Sequence, residues 1–167
     1  MNKCIESMRA RSLLFAILLP GTVTLFVPYL MLSRRHATPE WASWSLLAFV
    51  PLTAGASILL RCIWDFAVSG RGTLAPVDPP KELVVHGLFR YVRNPMYVGV
   101  LLVLLGEAGL FNSRALLVHA GGFWVVASAF VFFYEEPTLR RKFGGSYARY
   151  YRSVNRWLPR KPSGPSL

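Results

Sequence analysis

The segment 86–102 reads "HGLFRYVRNPMYVGVLL", and its character decides how the rest of the chain is interpreted. It begins with a histidine, passes through Arg90, Arg93 and Asn94, and continues after Pro95 as an apolar run. Proline suits the first turn of a helix, and asparagine is a suitable residue to cap it. The pattern predicts a polar, cation-rich loop that enters an apolar helix at the boundary of a lipid bilayer.

Composition favours a small membrane protein. Of the 167 residues, 53% are hydrophobic and only 16% are charged, and the mean hydropathy is +0.38. A chain of this length has room for one compact unit, and this much apolar surface exceeds what an ordinary soluble domain can bury. The predicted fold class is therefore an all-α membrane protein.

The apolar segments predict about four transmembrane helices. A span needs roughly 20 apolar residues. Three segments satisfy this, 13–32, 41–60 and 115–134, and a shorter fourth, 95–111, contains Glu107. The first could be a cleaved signal peptide, but its apolar core is long and no small-residue cleavage site follows it. We expect a cytoplasmic loop and C-terminal interfacial helices to complete the fold.

The basic residues predict the orientation of these helices. With both termini in the cytoplasm, only Arg34, Arg35 and Arg114 of the 19 basic residues lie outside, as the positive-inside rule favours. The net charge of +11 then suits a face against anionic lipid headgroups, and we expect no nucleic-acid partner. The expected location is the bacterial inner membrane, and the sequence carries no signal for an oligomeric state.

Three parts of the chain are expected. Residues 1–60 form an N-terminal transmembrane hairpin, residues 61–159 form the core with a second tight hairpin, and the basic tail 160–167 is disordered. Within the core, apolar residues recur at helical spacing and predict an interfacial helix, broken at Gly144 and Gly145. That stripe consists of Leu139, Phe143, Tyr147, Tyr150 and Val154.

Several single residues have simple interpretations. Cys4 and Cys62 lack metal-ligand spacing, so we expect two free thiols and no metal site. Glu107 is expected to pair with His119 across the second hairpin, and a catalytic role is the alternative. Asp65 is interpreted as nothing more than a helix end.

A second polar cluster follows the last apolar segment, where Glu135 and Glu136 are adjacent. Carboxylates at a membrane edge need partners and are functional candidates. Arg93, Arg140 and Arg141 are the expected partners. A helix start with a snorkelling arginine is the alternative explanation for Arg93.

These two clusters carry a family resemblance. The sequence "LVVHGLFRYVRNPMYVG", followed by "EEPTLRRKFGGSYARYYRSVNRWLP", resembles integral-membrane methyltransferases related to isoprenylcysteine carboxyl methyltransferase and phosphatidylethanolamine N-methyltransferase. The resemblance covers about half of the chain, residues 72–159. It implies S-adenosylmethionine as methyl donor, a cytoplasmic cofactor site, and a lipophilic acceptor that arrives from the bilayer, either a prenylcysteine-like carboxylate or a lipid headgroup.

The donor's chemistry agrees with residues in both clusters. Its adenine needs an aromatic slot, its carboxylate a cation or helix N-terminus, and its ammonium group a carboxylate. Phe89, Tyr91 and Tyr97 offer the slot, Arg93 and Asn94 the anion site, and Glu135 the ammonium partner. The resemblance implies backbone contacts from Leu83 and Val84 and a lining of Phe89, Asn94, Pro95, Met96, Tyr97 and Glu135. His86 is either a further cofactor contact or a loop residue.

Methyl transfer depends on positioning more than on acid–base catalysis, since the sulfonium group of the donor already contains the leaving group. Arg141, with Arg140 as the alternative, is expected to orient a carboxylate acceptor. An amine acceptor would need a base, for which Glu136 or His86 could serve. Two other classes stay open: a sterol-reductase-like oxidoreductase using NADPH, although "RNPMYVGV" lacks that pattern's second asparagine and glutamate, and a non-catalytic membrane component.

Overall fold

The computed structural model describes residues 18–34, 45–69 and 87–160, and nearly all of these are helical. The helices are α1 (Leu18–Ser33, with a π-helical turn at Thr22–Phe26), α2 (Phe49–Ser69), α3 (Pro95–Leu110), α4 (Arg114–Phe130) and α5 (Glu136–Ser153). Short 3₁₀ turns occupy Ser45–Ala48 and Gly87–Arg90. No strand occurs in the described ranges, so the predicted all-α class is confirmed.

Two helical stretches are long and apolar enough to cross a membrane. They are Ser45–Asp65 and Arg114–Ser153, while the apolar helices Leu18–Ser33 and Pro95–Leu110 are shorter. Large apolar side chains on these stretches face outward, among them Val118 and Phe133, each 75% exposed. Such a surface fits a lipid environment better than water. The expected number of four spans stays a prediction.

The chain divides into two compact units that alternate along the sequence. The polar unit contains the described residues 61–69, 87–95 and 129–160, and the apolar unit contains 18–34, 45–60 and 96–128. The predicted boundary after residue 60 coincides with one change of unit. The predicted functional core, residues 61–159, includes parts of both units. That it forms a separate domain stays a prediction.

Glycines let the backbones of the apolar unit approach closely. A Cβ at Gly106 would lie 2.7 Å from the backbone nitrogen of Leu52, and one at Gly55 would lie 2.6 Å from the carbonyl oxygen of Gly99. Small residues at such positions are typical of helix packing in membranes, where close contact replaces hydrophobic driving force. The adjoining core comprises Leu59, Val100, Val103, Leu104 and Ala120.

The second hairpin has the expected tight connection. After α3 the chain turns at Asn112, which has a φ of +44°, and α4 begins at Arg114. The hydroxyl of Ser113 accepts a hydrogen bond from the backbone N–H of Leu116 at 3.4 Å and so caps α4.

The expected pair between Glu107 and His119 is wrong. His119 Nε2 instead lies 3.2 Å from the carbonyl oxygen of Val23, within the π-helical turn of α1. A π-helical turn interrupts the regular hydrogen-bond ladder, so its carbonyls are open to side-chain donors. Glu107 Oε2 is buried without a hydrogen-bond partner among the described residues.

The predicted C-terminal stripe is confirmed in the polar unit. Tyr147, Tyr150 and Val154 are buried together, and Leu139 and Phe143 pack against them. The predicted break is also present, because Gly144 has φ +50° and ψ −121° inside α5. Only glycine adopts that backbone conformation readily. Of the two cysteines, Cys62 is a buried free thiol as expected, and Cys4 lies outside the described residues.

Candidate functional site

A buried carboxylate at the start of α5 holds two guanidinium groups. Arg156 donates to both oxygens of Glu136, from Nε at 2.8 Å and from Nη2 at 2.9 Å. Arg93 places Nη1 3.2 Å from Glu136 Oε1. Glu136 and Arg93 are almost fully buried, with side chains 7% and 8% exposed. We call Arg93, Glu136 and Arg156 the charged triad.

The local sequence explains why Glu136 turns inward. Pro137 lacks a backbone N–H and its ring clashes with the carbonyl four residues earlier in a regular helix. The chain widens into a π-helical turn, Val131–Glu135, in which the N–H of Glu136 bonds the carbonyl of Val131, five residues earlier. This extra residue in the turn changes the helix phase, so Glu136 is buried while Phe133 is exposed. Such turns are frequent at functional sites.

Arg93 has hydrogen-bonding capacity that the triad leaves unused. Its Nε and Nη1 atoms are buried and have no hydrogen-bond partner among the described residues. At 3.2 Å, Nη1 is close enough to Glu136 Oε1 to form an ion pair. Its N–H bonds do not point at the oxygen as a hydrogen bond requires. With one carboxylate for two guanidinium groups, the triad carries an excess positive charge. A buried guanidinium group with unused hydrogen-bonding capacity can pair with an anion.

An aromatic ring supports this positive charge. The guanidinium carbon of Arg93 lies 4.1 Å from the centroid of the Tyr151 ring, and that of Arg140 lies 4.5 Å from the same centroid. The negative face of an aromatic ring attracts cations, more strongly where water is excluded. Tyr151 thus brings a third arginine, Arg140 of α5, close to the two in the triad.

The segment after α5 fastens the loop that carries Arg93. The N–H of Arg93 donates to the carbonyl of Asn155 at 2.9 Å, and the side-chain amide of Asn94 donates to the carbonyl of Arg156 at 3.3 Å. Arg160 donates its backbone N–H to the carbonyl of Tyr91 at 2.9 Å. We call residues 154–160 the C-terminal strap. It fixes the backbone on both sides of Arg93 while its own Arg156 pairs with Glu136.

Two buried tyrosines, Tyr147 and Tyr150, complete the surroundings. Tyr150 donates its hydroxyl to the carbonyl of Phe89 at 2.7 Å. The pKa of Arg156 is raised chiefly by its hydrogen bond to Glu136, which keeps the guanidinium charged.

The structure brings some of the predicted site residues together. Arg93, Asn94 and Glu136 lie in one cluster, and Pro95 begins α3 as expected and is fully buried. Of the three arginines predicted as partners of the acidic pair, Arg93 faces Glu136, whereas Arg140 and Arg141 are exposed on α5. Both oxygens of Glu136 are engaged by arginine, which makes it an anchor in this structure, and its role as a base stays a prediction.

Other predicted residues lie around this cluster or elsewhere. Glu135 ends the π-helical turn, Arg141 is exposed on α5, and Tyr91 is 45% exposed. In the apolar unit, Met96 packs on the core and the Tyr97 ring lies 6.5 Å from that of Phe123. Leu83, Val84 and His86 lie outside the described residues. The cofactor role of all these residues stays a prediction, as does the acceptor role of Arg141.

Sequence reasoning missed Arg156 and Tyr151. Both lie within the C-terminal part of the quoted resemblance, but the charge pattern treats Arg156 as one cation among many, and no pattern singles out Tyr151. The position of Arg156 is the signal that could have found it. Arg156 comes two residues after Val154, the last residue of the apolar stripe, so it lies close to the buried face of α5.

Two helices long and apolar enough to cross a membrane, together with a buried charged triad, define a helical protein of membrane-like composition with a charged cluster in its polar unit. The chain belongs to the phospholipid methyltransferase family, whose model matches residues 45–146, well over half of its length. This confirms the resemblance predicted from the sequence. The match includes Arg93 and Glu136 and ends before Arg156. Neither a curated protein nor a solved structure matches the chain.

Proposed function

We propose that the protein transfers a methyl group from S-adenosylmethionine to a lipophilic acceptor at the cytoplasmic membrane face. Family membership supports methyl transfer to a lipid-type acceptor. The observation that carries the donor assignment is the open hydrogen-bonding capacity of Arg93 inside the charged triad. When bound, S-adenosylmethionine supplies a methyl group already activated on sulfur.

Arg93 fits the carboxylate of the donor. Two of its nitrogens are buried and have no hydrogen-bond partner in the part of the chain that the structure describes, and a carboxylate accepts well from a guanidinium group. The start of α3 directly after Asn94 adds the positive end of a helix dipole. The triad's excess positive charge would be balanced by this anion, which is a physical reason for the arrangement.

The polar unit also offers a place for the acceptor. Arg141 is exposed on α5, one residue after Arg140, whose guanidinium lies over Tyr151. An exposed arginine there can orient either a prenylcysteine-like carboxylate or the phosphate of a lipid headgroup. The chemical step then depends on aligning acceptor and methyl group, which positioning by these side chains would achieve.

Donor binding is tested by calorimetric titration with S-adenosylhomocysteine in detergent. We expect Arg93→Gln to weaken binding at least about tenfold, the loss expected for a charge-assisted hydrogen bond. Arg149→Gln, an exposed arginine on the same helix as Glu136, is the matched control and should bind normally.

NADPH serves as the competing ligand in the same titration. Binding of NADPH without S-adenosylhomocysteine would overturn the proposal in favour of an oxidoreductase. Equal affinity of the Arg93→Gln variant and the unaltered protein would place the donor's carboxylate elsewhere.

A further inference from the structure

Asp65 has a buried carboxylate oxygen that the fold does not use. Arg61, one turn earlier on α2, places its Nε 3.2 Å from Oδ1 of Asp65. Oδ2 is buried and has no hydrogen-bond partner among the described residues. The side chain of Asp65 is 11% exposed, whereas that of Arg61 is 60% exposed, so only the arginine side of the ion pair lies in solvent.

This arrangement is unfavourable unless something binds to it. An aspartate in the last turns of a helix meets the negative end of the helix dipole. A buried acceptor without a donor loses its hydration and gains nothing in return. The ion pair with Arg61 contributes little, because the guanidinium group of Arg61 is mostly in solvent. The position of Asp65 therefore calls for a ligand that supplies hydrogen-bond donors.

Asp65 also lies against the segment that leads to Arg93. A Cβ at Gly87 would collide with Oδ2 of Asp65, so the carboxylate lies directly against the Cα of this glycine. Gly87 has a φ of +57° and begins the 3₁₀ turn Gly87–Arg90, which Tyr150 holds through the carbonyl of Phe89. The same short segment thus runs from Asp65 to the charged triad within the polar unit.

We propose that Asp65 binds the ribose hydroxyls of the methyl donor, an inference that rests on the proposed function. One carboxylate oxygen is already paired with a cation, so the remaining acceptor suits neutral donors better than a second full charge. The donor carries such a group in the vicinal diol of its ribose, and carboxylates are well suited to accept from it. Arg93, at one end of the segment 87–93, would then bind the carboxylate of the donor. Asp65, which packs against Gly87 at the other end, would bind its ribose.

The ligand side of the test uses the unaltered protein. Adenosine and 2′,3′-dideoxyadenosine compete against radiolabelled S-adenosylhomocysteine for the purified protein in detergent. We expect adenosine to compete at least about tenfold better, because only it carries the diol. Since no residue is changed, this comparison is independent of whether any variant folds.

The protein side uses Asp65→Asn, with Arg61→Gln as the matched control. Asp65→Asn should weaken S-adenosylhomocysteine and adenosine by the same factor, about tenfold, and should leave 2′,3′-dideoxyadenosine unchanged. Arg61→Gln removes the ion pair but keeps the carboxylate, so its affinities should stay within about twofold of the unaltered protein. Thermal unfolding without ligand confirms that both variants fold.

Three outcomes would overturn the assignment. Equal competition by adenosine and its dideoxy analogue, or no competition by adenosine, would show that the ribose hydroxyls do not contribute to binding. Weakening of S-adenosylhomocysteine but not of adenosine by Asp65→Asn would assign Asp65 to the amino-acid end of the donor. If the unaltered protein binds no S-adenosylhomocysteine, the proposed function fails and this inference fails with it.

Discussion

At the scale of single residues, Glu136 holds together parts of the chain that are far apart in sequence. Its two oxygens accept from Arg156 in the C-terminal strap, and one of them also faces Arg93 in the loop before α3. Neutralising this carboxylate would leave two guanidinium groups close together without a counter-charge. Removing one partner from a buried ion pair typically costs more than the intact pair contributes.

We therefore expect Glu136→Gln to lower the free energy of unfolding by about 3 kcal/mol, the range for a broken buried ion pair. Arg156→Gln should cost less, because Arg93 still balances Glu136 and the Arg156 side chain is partly exposed. Arg149→Gln, on the exposed face of α5, should have no measurable effect. Chemical denaturation in detergent, followed by tryptophan fluorescence, checks this order; equal stabilities for all three variants would contradict the role of Glu136 as an anchor.

At the scale of elements, the helical spacing of apolar residues could be predicted from the sequence, whereas the partner of each charged side chain could not. The stripe from Leu139 to Val154 follows from helical spacing, and the break at Gly144 follows from glycine's backbone freedom. The pairing of Arg156 with Glu136 joins residues 20 positions apart, and any of several arginines had the right charge. The open oxygen of Asp65 depends on how Gly87 packs against it, which no local pattern contains.

The helix packing in the apolar unit gives an element-scale prediction. Gly106→Ala would place a Cβ 2.7 Å from the backbone of Leu52, so α3 must shift, at a cost of about 1 to 3 kcal/mol. Gly121→Ala, on α4, meets nothing within 4 Å and should be neutral or stabilising by up to about 1 kcal/mol, because alanine favours helix. Thermal unfolding in the same detergent compares the two variants. A stabilising Gly106→Ala would contradict the close approach of these helices.

At the scale of the whole molecule, the two compact units differ in chemistry. The apolar unit has a core of aliphatic residues and packs through glycines, whereas the polar unit carries the charged triad, Asp65 and the exposed cations of α5. Composition predicted the helical, apolar character of the chain, because this depends on residue type alone. The orientation of the termini and the number of spans depend on the bilayer, and they stay predictions.

Methyl transfer itself is the most direct test of the account. The protein is reconstituted in bilayers of bacterial lipid extract containing N-acetyl farnesylcysteine and supplied with S-adenosylmethionine labelled in its methyl group. We expect label to enter the lipid-soluble fraction, and alkali to release it as methanol only if the acceptor is a carboxylate. Arg141→Ala should lower turnover while affinity for S-adenosylhomocysteine stays within about twofold, because it removes orientation of the acceptor and not donor binding. A protein that binds S-adenosylhomocysteine but labels neither the lipids nor the prenylcysteine, or an Arg93→Gln variant that labels them at the normal rate, would contradict the account.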